Sequence, residues 1–515
     1  MTLIKKPYLT LLLIWLAWAV VVIGYQGLAN MRLQPKLPDN VLDWTAGETT
    51  PGAHDKQPYL LDPFMNQQVA YDSEFYLSIA NAGYDDPALR AVWVDPSKPI
   101  TSIWNQYPNL PYGIPKDFPG GRPTFVPAND IAYSLNYAFF PFYPLMIRAF
   151  SFPLRVFGLD AIATGTLAGV IVSLLGALGA MLALYDLMRD ELDEAGRLRT
   201  AFYLIAFPTG FFLAMVHTEG LFVGLAFGAL ALLRHKQWAL AALLAACATV
   251  TRAVGIALVI PFGIAWLQEA LPVIQTLRKH EQESPPAGGF RWDLILKGVL
   301  GLSPLIAYEI WDLLLGKQFR AVEAAFFSRG LFVFQQSIDG WNGALHDLFG
   351  ARGQPLANWI AWGLVALGTL VVVKLLAWSW LGDKIPPAVS TVLNLALIAF
   401  AAVLIYQWTT NTNNAQRTFY YMVEFSSTIL ALAACAYTLR THPGIALFSL
   451  MVVLISFFSG GAQGMQRYIL GAPAVFIMLG KLGAKDEVFD RAWTIGSVLL
   501  MALFAMLFAF NFWVG

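Results

Sequence analysis

The chain has 515 residues, of which 57% are hydrophobic and 13% are charged, whereas soluble domains carry roughly 25% charged residues. Basic and acidic residues number 33 each, so the formal net charge is zero, and no basic or acidic balance points to nucleic acid or to an acidic partner. The two cysteines, Cys247 and Cys435, lie in separate apolar runs, so neither a disulfide framework nor a cysteine metal site is expected. These features predict an all-α polytopic membrane protein that forms a single domain over residues 1–515.

The N-terminus carries the first predicted span. Lys5 and Lys6 precede an apolar run of roughly 20 residues, which is longer than the roughly 7 to 15 apolar residues of a signal peptide. We therefore predict an uncleaved transmembrane helix that starts in the cytoplasm. The protein would be an integral, multi-pass protein, of the cell membrane if the chain is bacterial.

Further apolar runs are long enough to cross the roughly 30 Å of hydrocarbon in a bilayer, and together they predict about 13 transmembrane helices. The predicted spans are 8–29, 161–187, 199–216, 219–233, 237–251, 254–268, 294–315, 356–376, 387–407, 418–439, 443–459, 468–482 and 492–513. The loops that this count assigns to the cytoplasm are short and carry Lys or Arg, as the positive-inside rule requires.

Three segments are expected on the extracytoplasmic side. Residues 30–130 and 316–355 are longer than common connections, and long ordered loops on a rigid scaffold usually carry function. Prolines interrupt residues 131–157, where we predict broken helices that lie in the membrane interface. The first long loop contains the stretch YDSEFYLSIANAGY at 71–84, which is a candidate functional motif.

An acid opens this motif. If the motif is helical, Tyr76 and Gly83 lie on the same face as Asp72, so the acid stands at the start of an apolar face. One interpretation is that Asp72 only caps the helix, a position that Asp favours. The other is that its carboxylate takes a proton from a substrate as a general base.

Other charged residues interrupt apolar stretches near the predicted extracytoplasmic ends of spans. Glu219 is either a partnered or functional acid, or an acid in a first helical turn that interacts with the helix dipole. Arg252, Arg417 and Arg467 occupy comparable positions. They predict a clamp for a phosphate, which a guanidinium binds through two hydrogen bonds, and the alternative is that each reaches out to lipid headgroups.

The motif at 71–84 resembles the signature of the PIG-V type mannosyltransferases, which are membrane GT-C enzymes that use lipid-phosphate-linked mannose. Further stretches resemble that family's motifs in the family's order: FFPFYPLMIR at 139–148, HTEGLF at 217–222, TRAVGIAL at 251–258 and MQRYILGAP at 465–473. The chain departs from the pattern at Tyr71, where Trp is usual, and at Gln466, where Pro is usual. The resemblance implies a GT-C-like fold.

The resemblance also implies an activity, the inverting transfer of a hexose from a polyprenyl-phosphate donor to an acceptor hydroxyl on the extracytoplasmic face. Mannose is the sugar expected from the family. Asp72 would be the catalytic base, Glu219 would position the substrates or act as a second acid, and Glu74 is a weaker catalytic candidate. The acceptor is left open and is a glycan, a lipid or a protein.

The same motifs supply candidate binding residues. Arg252 and Arg467 would hold the donor phosphate, and Arg417 is the third candidate cation. The candidate substrate-binding residues are Tyr76, Tyr84 and Tyr143.

No metal-binding motif is evident, and a phosphate leaving group held by arginines does not require a metal. A divalent ion is the alternative, because oxygen donors of the kind that bind Mg or Mn occur close together in the first long loop. These donors are Asp72, Glu74, Asp85 and Asp86.

Two other functions share some of these features. A transporter or flippase of lipid-linked sugars would place ionisable groups in the middle of several spans, whereas the charges here concentrate at span ends and in the first long loop. A glycan polymerase or ligase that uses a lipid-diphosphate donor would need the same arginines, so only the identity of the donor separates it from the first proposal.

Overall fold

The structure is a computed structural model. It describes residues 6–55, 57–94, 131–280, 292–327, 329–330, 332–348 and 415–515, with scattered positions between 386 and 406. The predicted span 356–376, most of span 387–407 and large parts of both long loops lie outside the described residues. The described part of the chain is mostly helical.

The α-helices follow one another along the described part of the chain. They are α1 (Lys6–Arg32), α2 (Thr45–Thr49), α3 (Pro58–Leu61), α4 (Ser73–Asn81), α5 (Phe142–Leu154), α6 (Ala161–Leu187), α7 (Glu194–Ile205), α8 (Thr218–Arg234), α9 (Trp238–Thr249), α10 (Val259–His280), α11 (Trp292–Gly301), α12 (Ser303–Val322), α13 (Phe334–Leu348), α14 (Ala415–Thr438), α15 (Pro443–Phe457), α16 (Met465–Tyr468), α17 (Pro473–Lys485) and α18 (Glu487–Ala509). Short 3₁₀ turns lie at Asn66–Gln68, Leu135–Ala138, Arg155–Phe157, Gly210–Ala214, Ala253–Leu258 and Ile469–Gly471, and a π-helical turn lies at Glu323–Phe327.

A small sheet stands beside the helices. Strand β1 (Ala91–Val94) pairs antiparallel with β2 (Ile131–Ser134), with Ala91 opposite Ser134 and Val94 opposite Ile131. The prediction that interfacial helices begin at residue 131 is therefore wrong for its first four residues, and the class is not purely α. Residues with β-branched and aromatic side chains on both strands favour this pairing over a helix.

Five described helices are long and apolar enough to cross a membrane, and the number rises to seven if each of two bent pairs counts as one span. The five are Lys6–Arg32, Ala161–Leu187, Ala253–Pro272, Gln416–Thr438 and Glu487–Ala509. The predicted total of about 13 is not confirmed, because two apolar helices, α9 and α15, are short and two predicted spans lie at least largely outside the described residues.

Three predicted spans are broken within their length. The span predicted at 294–315 bends by 48° between α11 and α12. The prediction of one helix over 199–216 is wrong: α7 ends at Ile205, because Pro208 would collide with the preceding turn, and a 3₁₀ turn follows at Gly210–Ala214. The span predicted at 468–482 bends by 83° just before Pro473. The Thr209 hydroxyl donates to the Gln466 carbonyl at 2.6 Å, so the breaks at Pro208 and Pro473 lie side by side.

Helices α6 and α8 approach each other closely through glycines. A Cβ atom on Gly176 would lie 2.2 Å from the Gly220 carbonyl oxygen, and one on Gly220 would lie 2.4 Å from the Ser173 carbonyl oxygen. Small residues at such contacts let helix backbones pack directly against each other. This crossing fixes the first turn of α8, which is where Glu219 lies.

Candidate functional site

Glu219 is buried in the first turn of α8 and accepts a hydrogen bond from Arg252 Nη1. Arg252 stands just before the 3₁₀ turn Ala253–Leu258, and its Nη1 also donates to the Thr218 hydroxyl at 3.2 Å. A buried carboxylate is costly unless it is paired. Glu219 is thus a partnered acid, and it holds the Arg252 guanidinium at the start of α8.

Arg467 joins this pair from the backbone break before Pro473. Its guanidinium is 4% exposed; Nε lies 3.3 Å from Glu219 Oε1 and Nη1 lies 3.4 Å from Asp72 Oδ2. Its Nη2 donates to the Tyr468 hydroxyl at 3.4 Å. One arginine therefore connects the acid of the 71–84 motif with the acid of α8.

Asp72 occupies the N-cap position of α4, yet its side chain makes no capping hydrogen bond within the described part of the chain. The carboxylate instead faces Arg467 and keeps 25% of its surface exposed. The helix start is supported locally by Ser73, whose hydroxyl accepts a hydrogen bond from the Ala70 amide at 3.1 Å. Asp72 is thus free of the capping role and accessible to a substrate.

Tyr71 directs Asp72 toward the arginines. Its φ angle is 49°, a left-handed conformation that bulky residues adopt only under constraint. The ring lies against Trp513 at 5.0 Å between centroids and against Trp44 at 6.3 Å, and its hydroxyl donates to the Asn511 carbonyl. Tyr71, where the motif that the sequence resembles has Trp, is therefore held by aromatic contacts that fix the backbone conformation just before Asp72.

A narrow cleft, with a cavity volume of about 10 Å³, opens beside the cluster. Its charged lining consists of Glu219, Arg252 and Arg467, with Tyr468 alongside. The remaining walls are mainly apolar and come from Phe222, Val223, Val254, Val452, Ser456 and Gly471. A cleft lined by two arginines and by several apolar side chains suits a ligand that carries both a phosphate and a hydrocarbon group.

The π-helical turn Glu323–Phe327 and Arg329 just after it bring in two charged residues that the sequence did not single out, Glu323 and Arg329. Glu323 interacts electrostatically with Asp72 and Arg329, and Arg329 interacts with Tyr468 and Asp72. The amide following Arg329, that of Gly330, donates to the Ser459 carbonyl at 3.0 Å. The described start of the second long loop therefore reaches the site, although nothing in its sequence except its length indicated this.

His217 lies behind Glu219 and is completely buried, with its Nδ1 3.9 Å from Glu219 Oε2. Tyr76 packs on it, with the two rings 6.3 Å apart, and Tyr143 packs on Tyr76 at 5.2 Å. The Tyr143 hydroxyl hydrogen-bonds to Gly169 and Ser173 in α6. These two tyrosines thus pack behind His217 and Glu219. They lie near the cluster but do not line the cleft.

Three other candidate residues lie apart from the cluster. Glu74 is buried on α4 at 3.4 Å from Arg90, and burial raises the pKa of its carboxyl. The Tyr84 hydroxyl donates to the Phe139 carbonyl at 2.8 Å. Arg417 pairs with Asp43 at 2.5 Å and with Asp347 at 3.6 Å. The structure does not bring these residues to the site.

The four acids that suggested a divalent ion have separate partners. Asp72 faces Arg467 and Glu74 faces Arg90. Asp86 accepts from the Tyr59 and Ser78 hydroxyls, and Asp85 accepts from the Tyr137 hydroxyl. Among the described residues no group of three or more His, Cys, Asp or Glu is arranged to hold a metal ion. The acids of the first loop therefore do not fit a shared metal site.

No family model matches the chain, and no curated protein matches it. The solved structures that are similar to the chain include two with 14% sequence identity each. One is the archaeal oligosaccharyltransferase AglB from Archaeoglobus fulgidus in complex with an inhibitory peptide and a dolichol-phosphate, with a TM-score of 0.36 over 97% of this chain and 56% of that chain. The other is the apo form of the Archaeoglobus fulgidus oligosaccharyltransferase, with a TM-score of 0.39 over 99% and 57%. The chain thus spans little more than half the length of these proteins.

Proposed function

We propose that the protein is a GT-C-like membrane glycosyltransferase that transfers a hexose from a polyprenyl-phosphate donor to an acceptor hydroxyl on the extracytoplasmic face. The observation that carries this proposal is the contact between Asp72 and Arg467, because Arg467 also lines a cleft with mainly apolar walls. It joins a carboxylate that can accept a proton to a cation that can accept a leaving phosphate.

The residues that line the cleft indicate the chemical class of the donor. Arg252 and Arg467 both line it, and a guanidinium recognises phosphate oxygens through paired hydrogen bonds. Phe222, Val254 and Val452 also line the cleft, and these apolar side chains accommodate a hydrocarbon chain better than a soluble nucleotide. A sugar donor carried on a lipid phosphate matches both properties.

The reaction is a single displacement. Asp72 accepts the proton of the acceptor hydroxyl while that oxygen forms a bond to the anomeric carbon. The bond between the anomeric carbon and the donor phosphate oxygen breaks, and its electron pair leaves with the phosphate. Arg252 and Arg467 stabilise this charge. Attack on the side opposite the phosphate inverts the anomeric configuration.

Glu219 has a positioning role in this mechanism. It is buried and bound to both arginines, so it keeps the two guanidinium groups together against their mutual repulsion. Asp72 is the more accessible acid, with 25% of its side chain exposed against 3% for Glu219. The base is therefore assigned to Asp72, and mannose is the sugar that the motif resemblance favours.

The donor decides between this proposal and its alternatives. Membranes that contain the protein would receive labelled mannose on polyprenyl phosphate, labelled glucose on polyprenyl phosphate, or a labelled sugar on polyprenyl diphosphate. We expect transfer to endogenous acceptors from the mannosyl monophosphate donor, with inversion in the product.

Transfer from the diphosphate donor alone would assign the protein to the polymerase or ligase class. Movement of lipid-linked sugar across the bilayer without transfer from any donor would assign it to the flippases. Transfer from the glucosyl donor alone would keep the mechanism and replace the sugar.

A further inference from the structure

Glu424 is an acid buried within the long apolar helix α14, and its carboxylate receives backbone hydrogen bonds from the segment that carries Arg467. The Gly464 and Met465 amides donate to its two oxygens at 2.7 Å each. The amide of Gln466 also contributes to this interaction. A carboxylate that receives several backbone donors in this way fixes the turn that supplies them.

The turn has a geometry that needs such support. Gly464 has a φ of 79°, and a Cβ atom there would lie 3.1 Å from the Tyr468 ring. The short helix α16 begins immediately afterwards, and the Arg467 amide donates to the Gly464 carbonyl at 3.0 Å. The orientation of Arg467 therefore depends on the conformation of Gly464.

Tyr420 completes the arrangement one helical turn before Glu424. Its hydroxyl accepts hydrogen bonds from the Gly464 amide at 3.2 Å and from Trp513 Nε1 at 3.0 Å, and it contacts the Glu424 carboxylate. On the other side of the turn, Thr209 binds the Gln466 carbonyl. The backbone of 464–466 is thus held by hydrogen bonds with Thr209 on one side and with Tyr420 and Glu424 on the other. Among these three side chains, only that of Glu424 is a carboxylate.

We infer that Glu424 is a positioning residue for Arg467: its carboxylate holds the 464–466 amides so that the Arg467 guanidinium faces Asp72 and the cleft. This inference rests on the proposed function, in which Arg467 binds the donor phosphate. Glu424 itself does not line the cleft. It acts on the reaction through the backbone of the turn.

A double-mutant cycle tests the inference. Glu424→Gln keeps the size of the side chain and replaces one acceptor oxygen by an NH₂ group that opposes the backbone amides. A misplaced catalytic contact can cost about 100-fold in rate, so we expect kcat/KM for transfer to fall by about this factor. In an Arg467→Lys background the same substitution should have little further effect, because the residue that it positions is already altered.

Equal losses in both backgrounds would overturn the inference, since they would mean that Glu424 supports the fold in general. An unchanged kcat/KM in Glu424→Gln would overturn it as well. If Glu424→Gln does not fold, Tyr420→Phe is the second variant. It removes one contact to the carboxylate, and its smaller loss should also disappear in the Arg467→Lys background.

Amide hydrogen exchange separates failure of this inference from failure of the proposed function. The amides of Gly464 and Met465 should exchange faster in Glu424→Gln than in the wild type and at the wild-type rate in Arg467→Lys. If the wild type transfers no sugar from any donor, the proposed function is wrong, and exchange alone then decides whether Glu424 holds the turn. Unchanged exchange in Glu424→Gln would refute that role.

Discussion

Arg467 and Arg417 look equivalent in the sequence, and the structure gives them opposite environments. Arg467 is 4% exposed, lies where a span is broken, and lines a cleft together with Arg252. Arg417 is 18% exposed, belongs to the continuous helix α14, and is bound by Asp43, Asp347 and the Val41 carbonyl. One arginine stands beside a cleft, and the other ties a loop to two helices.

The difference shows which structural feature distinguishes an arginine in the candidate functional site from one that only forms ion pairs. Near Arg467 the backbone is broken at Pro208 and at Pro473, and irregular backbone within apolar spans occurs where it is buried in protein or lines a cavity. Near Arg417 the helix is regular, and the guanidinium is neutralised by two acids. The break in the helix, rather than the arginine, marks the site.

When the two arginines are removed in turn, a large effect is expected only for Arg467. Arg467→Ala should lower the transfer rate about 100- to 1,000-fold, as the loss of a group that stabilises developing charge does. Arg417→Ala should stay within about threefold, because partly exposed ion pairs contribute little. Initial rates with matched protein amounts measure both. Equal losses would contradict the distinction between the two regions.

A smaller effect than that of Arg467→Ala is expected when Glu219 is neutralised. Glu219→Gln removes the charge that holds Arg252 and Arg467 together, and the transfer rate should fall about 10- to 100-fold through misplacement of both cations. Asp347→Asn near Arg417 is the matched control and should leave the rate unchanged. A fully active Glu219→Gln variant would remove Glu219 from the mechanism.

Chelation should have the smallest effect. The carboxylates of Asp72, Glu74, Asp85 and Asp86 face separate partners, so we expect EDTA to leave the transfer rate unchanged. A loss of activity that Mg²⁺ or Mn²⁺ restores would show that a metal site forms elsewhere in the chain or with the substrates.

The motif residues were the part of the site that could be predicted from the sequence. Asp72, Glu219, Arg252 and Arg467 are adjacent to recognisable patterns, and the structure brings the four together. Glu323 and Arg329 could not be predicted, because a π-helical turn and contacts between distant segments place them. Glu424 did carry a signal that the prediction missed: an acid within an apolar span is usually functional or partnered.

The fold was predictable where apolar runs are long and unbroken. Span 161–187 coincides with α6, Ala161–Leu187, because nothing interrupts its hydrophobic sequence. The prediction of one helix over 199–216 was wrong because hydropathy alone does not reveal the break at Pro208. The prediction for residues 131–134 was wrong because strand β2 is stabilised by pairing with β1, and a local sequence pattern does not reveal such a contact.

The assignment of Asp72 as the catalytic base is tested most directly by comparing the transfer rates of Asp72→Asn and Asp43→Asn. Both substitutions neutralise an acid that pairs with an arginine, the first at Arg467 and the second at Arg417. We predict that Asp72→Asn abolishes transfer of labelled mannose while expression and donor binding persist, and that Asp43→Asn keeps wild-type transfer. A fully active Asp72→Asn enzyme would contradict the assignment of Asp72 as the catalytic base.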